Sequence, residues 1–120
     1  MPYFFDTYAI IEIIKSNTNY HPYSEEEIFT SFLNLGELYY VLLRNFDERI
    51  AEQWKKKLEG TYLTLTEDII IKAMKFKFKH TDKHFSFIDC VGYILSRENN
   101  MTFLTGDKAF AHMENVEFVQ

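Results

Sequence analysis

Apolar positions along this chain follow two rhythms, short blocks of three to five residues and longer stretches spaced at helical intervals. Pro2 to Phe5 is a brief apolar block that stops at Asp6-Thr7, both good helix-starting residues. Tyr8 to Lys15 continues as a helix, apolar over most of its surface, and the polar stretch Ser16 to Ser24, with Pro22 inside it, reads as a loop. Ile28 to Thr30 forms a candidate second strand. Phe32 to Arg44 reads as a strongly apolar helix, and Phe46 to Leu58 as a more polar, amphipathic one that ends at Gly60. Thr61 to Leu65 alternates as a strand does. Thr66 is a good N-cap, with Glu67 and Asp68 in the first turn, for a helix to about His80. A further helix spans Phe85 to Glu98. Thr102 to Thr105 reads as a strand, Asp107 to His112 as a short helix and Val116 to Val119 as a last strand. Strands separated by helices pair in parallel and need cover on both faces. The pattern therefore predicts an α/β fold, a three-layer α/β/α sandwich around a mostly parallel central sheet, with residues 1–120 as a single domain.

Composition narrows the class. At 47% hydrophobic and 18% aromatic residues, the chain can bury a real core and is not a polar, disordered one. Its longest apolar runs, such as Leu38 to Leu43, are too short to cross a bilayer, and the opening Met-Pro-Tyr-Phe-Phe-Asp lacks the basic region of a signal peptide. One cysteine, Cys90, forms neither an internal disulfide nor a multi-thiolate zinc site. These features predict a cytoplasmic protein without membrane contact.

Chemistry enters through the acids. In open parallel sheets ligands bind at the carboxyl ends of the strands. Asp6 follows Tyr3-Phe4-Phe5 and Asp107 follows Phe103-Leu104-Thr105-Gly106, so both emerge at that edge. Either acid alone could simply cap the helix after it; two at equivalent places carry more weight. Glu37 has Leu33 and Val41 one turn away in an apolar helix, where a carboxylate needs a partner. A lysine from elsewhere or a metal ion would serve equally. Asp89 is different: Phe87, Ile88, Val91, Ile94 and Leu95 form the main apolar face, and Asp89 points away beside Gly92 and Ser96, which predicts a solvated acid. Periodicity does not single it out.

Four pieces in order resemble the PIN-domain nucleases, most closely the small VapC-type toxins of toxin–antitoxin pairs. Phe4-Phe5-Asp6-Thr7 is similar to the family's opening strand and first acid, and Leu35-Gly36-Glu37-Leu38 to the helix with its glutamate. Phe85-Ser86-Phe87-Ile88-Asp89-Cys90 is similar to its Ser-x-x-Asp element, and Leu104-Thr105-Gly106-Asp107-Lys108-Ala109-Phe110 to its Thr-x-Asp-x-x-Phe ending. The resemblance implies an acidic pocket of Asp6, Glu37, Asp89 and Asp107 that binds Mg²⁺ or Mn²⁺ and hydrolyses RNA, with Thr7 and Thr105 supporting it. It also implies a cognate antitoxin and a homodimer. A housekeeping RNA-processing nuclease, or a PIN-like protein-binding module without catalysis, are the competing readings. Two positions depart from the pattern: Tyr8 stands where many relatives carry Asn or Ser, and Ala109 where many carry a further Asp.

The net charge of −5 neither supports nor excludes RNA, since four of those charges would belong to the metal pocket. Lys72, Lys75, Lys77, Lys79 and Lys83, with His80 and His84, form the one basic segment. Lys72, Lys75, Lys79 and Lys83 are candidates for guiding RNA, against the plain alternative of a solvated helix face. His80 and His84 have a zinc-compatible spacing but no third ligand. Cys90 reads as a packed small residue, and Trp54 as a core or interface anchor.

Overall fold

The computed structural model describes residues 2–120. Three strands form one parallel sheet in the order β1 (Tyr3–Phe5), β2 (Thr102–Thr105), β3 (Val116–Phe118), with Phe4 opposite Phe103 and Phe103 opposite Val116. On the other side of β1 two single parallel bridges, Phe4 to Phe29 and Thr30 to Tyr62, widen the sheet. The Phe29 carbonyl accepts from Phe5 N (2.8 Å), and Thr30 N donates to the Thr61 carbonyl (3.0 Å). The expected strands at 28–30 and 61–65 thus exist only as bridges, and that edge stays narrow.

Between the strands run α1 (Thr7–Ile14), α2 (Phe32–Asn45), α3 (Glu48–Lys57), α4 (Glu67–Lys79) and α5 (Phe87–Glu98). The loop expected over 16–24 contains a 3₁₀ turn at Thr18–Tyr23, and the short helix after β2 is a 3₁₀ turn at Lys108–Phe110. Starts are fixed by side-chain caps: the Thr66 hydroxyl accepts from Ile69 N (3.2 Å) and Asp47 from Ile50 N (2.9 Å).

Side chains alternate across the strands and split the core in two. Phe4 and Phe103 face α4 and α5, joining Phe76, Phe85, Val91, Tyr93 and Phe110. Phe5 and Leu104 face α1, α2 and α3, joining Ile10, Tyr20, Leu38, Leu42 and Leu58. This is the expected three-layer α/β/α sandwich.

One sequence expectation is corrected here. The Gly92–Ser96 side of α5 is not solvated: Cys90 to Ser96 are all buried, and Gly92 lies flat on the sheet. A Cβ there would stand 3.0 Å from the Phe4 ring and 3.2 Å from Phe103. Small residues mark close approach of helix to sheet, not exposure. With both its apolar and its small faces covered, α5 has only its ends open, and Asp89 sits at the first of them.

Candidate active site

Asp6 leaves β1 where the strand ends and starts α1. Its backbone N–H still donates to the Leu104 carbonyl (3.2 Å), while its Oδ1 accepts from Ala9 N (2.8 Å). It is 5% exposed. Asp107 leaves the neighbouring strand β2 and caps the next 3₁₀ turn, Oδ1 accepting from Ala109 N (2.9 Å). Asp89 closes a capping box at the start of α5: its N–H donates to Ser86 Oγ (3.0 Å) and its Oδ2 accepts from Ser86 N (3.2 Å). Glu37 comes from the middle of α2. It is half-buried, and among the described residues it has no ion-pair partner, so the lysine alternative for it is not what this structure holds.

These four acids, from four separated segments, line one cavity of about 550 Å³ together with Thr7, Tyr8, Ile11, Val41, Gly106 and Lys108. The cavity lies at the carboxyl edge of the sheet, where β1 and β2 both end. Among the described residues Lys108 is the one cation that lines it.

Charge crowding is visible in the carboxyls. Burial pushes Asp6 up to about 7, and the nearby Asp89 and Asp107 push the same way, against the Thr105 hydroxyl and the Ala9 N–H, which favour the ionised form. Asp89 is also raised, chiefly by burial, with Asp107 and Glu37 adding to it. Thr105 is buried behind the cavity, where its Oγ accepts from Asp107 N (3.1 Å) and it supports the carboxylate of Asp6, so one hydroxyl ties the ends of both strands together.

The donor set fits a hard divalent cation, since carboxylate and hydroxyl oxygens are what Mg²⁺ and Mn²⁺ take. Among the described residues, however, no three His, Cys, Asp or Glu side chains are already drawn together closely enough to hold an ion. The reason is local: Asp6, Asp89 and Asp107 each spend an oxygen on a backbone N–H at a helix or turn start. An ion that keeps part of its water shell fits acids placed around a cavity without closing on one point.

Sequence reasoning missed the polar brace behind Glu37. Asn34, buried one turn before it, donates from Nδ2 to Thr7 Oγ (3.1 Å) and accepts from Ser31 Oγ (2.6 Å). Thr7, expected to support the pocket, lines the cavity and fastens α1 to α2. The signal available was Ser31-x-x-Asn34 at a helix start, a capping pattern. Tyr8 and Lys108 were also missed as lining residues.

The lysines lie elsewhere. Lys72, Lys75 and Lys79 line a groove of about 620 Å³ with His80, Arg97 and His112, which shares no residue with the acid cavity. Lys72 is occupied by Asp68 (3.1 Å) and Glu98 (2.6 Å). Lys83 is exposed outside that groove. His80 Nδ1 pairs with the Phe76 carbonyl (2.9 Å), and buried Cys90, its thiol pushed up to about 11 by desolvation, is no nucleophile.

Residues 3–116 match the family model described as PIN domain, and the chain belongs to the PIN-domain family. No curated protein matches it in sequence. Among solved structures it is similar to VapC20 of Mycobacterium tuberculosis, described as a sarcin-ricin loop cleaving toxin, at 20% identity and TM-score 0.77 over 98% of this chain and 99% of that one. It is also similar to a toxin-antitoxin complex from Klebsiella pneumoniae (15% identity, TM-score 0.75, 95% and 94% covered). A third similar structure is VapBC2 from Rickettsia felis bound to a promoter DNA fragment (15% identity, TM-score 0.72, all of both chains covered). No helix of the described residues is long and apolar enough to cross a membrane.

Proposed function

We propose that the protein is an endoribonuclease that hydrolyses RNA phosphodiesters with Mg²⁺ or Mn²⁺ at Asp6, Glu37, Asp89 and Asp107, acting in the cytoplasm as the toxin of a toxin–antitoxin pair. The observation that carries this is the convergence of four carboxylates from distant segments on one cavity with a single lysine nearby. Four structural acids would more cheaply have found four cations or water. A divalent ion held by these acids would supply a nucleophilic water at neutral pH and screen charge on the phosphate. The chain's own residues do the rest. Asp6 and Asp107 would face the cation, Thr105 holds the Asp107 backbone N–H and the Asp6 carboxyl, and the Asn34–Thr7 bond ties the helix that carries Glu37 to the one that Asp6 starts. Lys108, which lines the same cavity, would pair with a phosphate oxygen of the RNA.

The likeness to toxin–antitoxin structures supports an antitoxin partner for this chain. Exposed Phe32, Tyr40, Leu43 and Phe46 on and just after α2 provide apolar surface for that partner or for a second copy in a homodimer. Lys75, Lys79 and Lys83 remain free to draw in RNA from a distance. The capping bonds of Asp6, Asp89 and Asp107, which give each acid a structural role, favour one other reading, a PIN-like binding module without catalysis. Cleavage of RNA by the purified chain in Mn²⁺, its suppression by EDTA and calorimetric Mn²⁺ binding lost in Asp89→Asn would support the nuclease. No Mn²⁺ binding and no cleavage would leave the module.

A further inference from the structure

The cavity's lining mixes two characters. Beside the four carboxylates stand Tyr8 and Ile11, one turn apart on α1, and Val41 of α2. A site for phosphate and metal alone has no use for apolar lining. A nucleotide has both characters, charge at the phosphate and a flat apolar face at the base.

Tyr8 is the large flat group in that lining, and it is held in place. Gly106 has no side chain, and the ring edge occupies the space a Cβ would need: an atom there would stand 2.0 Å from the ring. Tyr20, fully buried, braces the ring from behind at 6.4 Å between centroids. The ring is nevertheless 36% exposed. A residue serving only to plug the space over Gly106 would not keep a third of its surface open beside four acids.

We propose that Tyr8 is the stacking platform for the base next to the scissile phosphate, which the cavity holds through that base's aromatic face. The inference rests on the RNA-cleaving reading above and adds a binding residue to it. A base inside a duplex keeps both faces covered by its neighbours and cannot reach the ring without leaving the stack. Base–aromatic stacking tolerates every base, so the platform selects for an accessible base more than for its identity.

The test is a cycle between protein and RNA. Once the cleaved bond in a single-stranded RNA is located, the same oligonucleotide is made with an abasic ribose on each side of that bond in turn. With the wild type and with Tyr8→Phe, one abasic substitution lowers kcat/KM by about 5- to 150-fold, the range of a lost stack. With Tyr8→Leu, which keeps apolar bulk over Gly106, intact RNA loses a similar factor and the abasic penalty shrinks below about twofold. An undiminished abasic penalty in Tyr8→Leu, or none in the wild type, overturns the platform. Fluorescence keeps this separate from catalysis. In a Tyr8→Trp, Trp54→Phe chain the sole tryptophan stands at the site, and oligouridylate should quench it while an abasic chain of equal length and charge does not. Quenching without any cleavage would sink the nuclease reading and keep the base platform; cleavage without quenching or abasic penalty would do the reverse. Neither cleavage nor quenching would remove both.

Discussion

The acid cavity and the basic groove are built in opposite ways. In the cavity, four like charges arrive from residues 6, 37, 89 and 107 and meet one cation, Lys108. In the groove, the positive charges of Lys72, Lys75 and Lys79 come from successive turns of one helix, Arg97 adds another, and Glu98 and Glu114 are the acids that line it with them. Ion pairs settle only part of that charge: among the described residues Lys72 pairs with Asp68 and Glu98, while Lys75 and Lys79 pair with none. The cavity settles none of its charge that way, and Asp6 carries the cost in a carboxyl raised to about 7. Like charge gathered from distant segments into a recess perturbs its carboxyls; like charge strung along an exposed helix face is left to solvent.

The largest expected effect would break this contrast outright. Asp6→Asn keeps the cap on Ala9, because an amide oxygen also accepts that N–H, but removes the buried charge. RNA cleavage should fall by at least about 100-fold, the scale for losing one preorganised electrostatic contributor, while circular dichroism stays unchanged. Wild-type activity in this variant would remove Asp6 from the chemistry.

Next comes pH. A carboxyl whose folded value lies above its unfolded value of 3.8 keeps a proton in the native state that the unfolded chain releases. Its contribution is therefore complete below about pH 4 and is lost as pH rises through about 7. In metal-free buffer, stability should fall over that window by up to about 4 kcal/mol from Asp6 alone, the raised Asp89 acting in the same direction. Asp6→Asn should flatten the curve, and saturating Mn²⁺ at pH 7 should raise Tm by binding the folded state. Urea titrations across pH give the slope directly, and a flat wild-type curve would contradict the buried charge.

Gly106→Ala sharpens the comparison from the cavity's apolar lining. The added methyl overlaps the Tyr8 ring, so the ring must swing away or the loop after β2 must shift, at about 1–3 kcal/mol. Adding Tyr8→Ser should restore most of that loss, which a double-mutant cycle in urea measures. The smallest effect belongs to the groove. Replacing Lys75, Lys79 and Arg97 by Ala should weaken RNA binding only several-fold and lower the salt dependence of log K by about 0.7 for each phosphate no longer neutralised. Unchanged affinity would mark that surface as solvated helix face.

Much of the fold could be read from the chain because its strands are short apolar blocks ended by an acid. Tyr3–Phe5 before Asp6, and Thr102–Thr105 two residues before Asp107, stand where the sequence pattern puts them. The helices followed from their apolar spacing and from caps such as Thr66, good to a residue or two. Thr61 to Leu65 misled, since alternation promises a strand only where a partner runs alongside, and the partner here pairs at Tyr62 alone. Asp89 was unreadable by periodicity because α5 is covered on its small face as well as its apolar one, so no polar stripe exists to locate a solvent side. Resemblance supplied what periodicity withheld. Pairings such as Tyr8 over Gly106 and Asn34 against Thr7 join residues far apart in the chain, and nothing local announces them.

The capping bonds of Asp6, Asp89 and Asp107 bear on how such a chain can age. Each of these side chains has a second employment, closing the first turn of the segment after it, that is independent of any turnover. A lineage that stopped cutting RNA would still be held to an oxygen acceptor at positions 6, 89 and 107, so its decay would leave asparagine, serine or threonine there. Glu37, which begins no helix, is free of that tie. Position 37 is therefore where a retired copy would drift first.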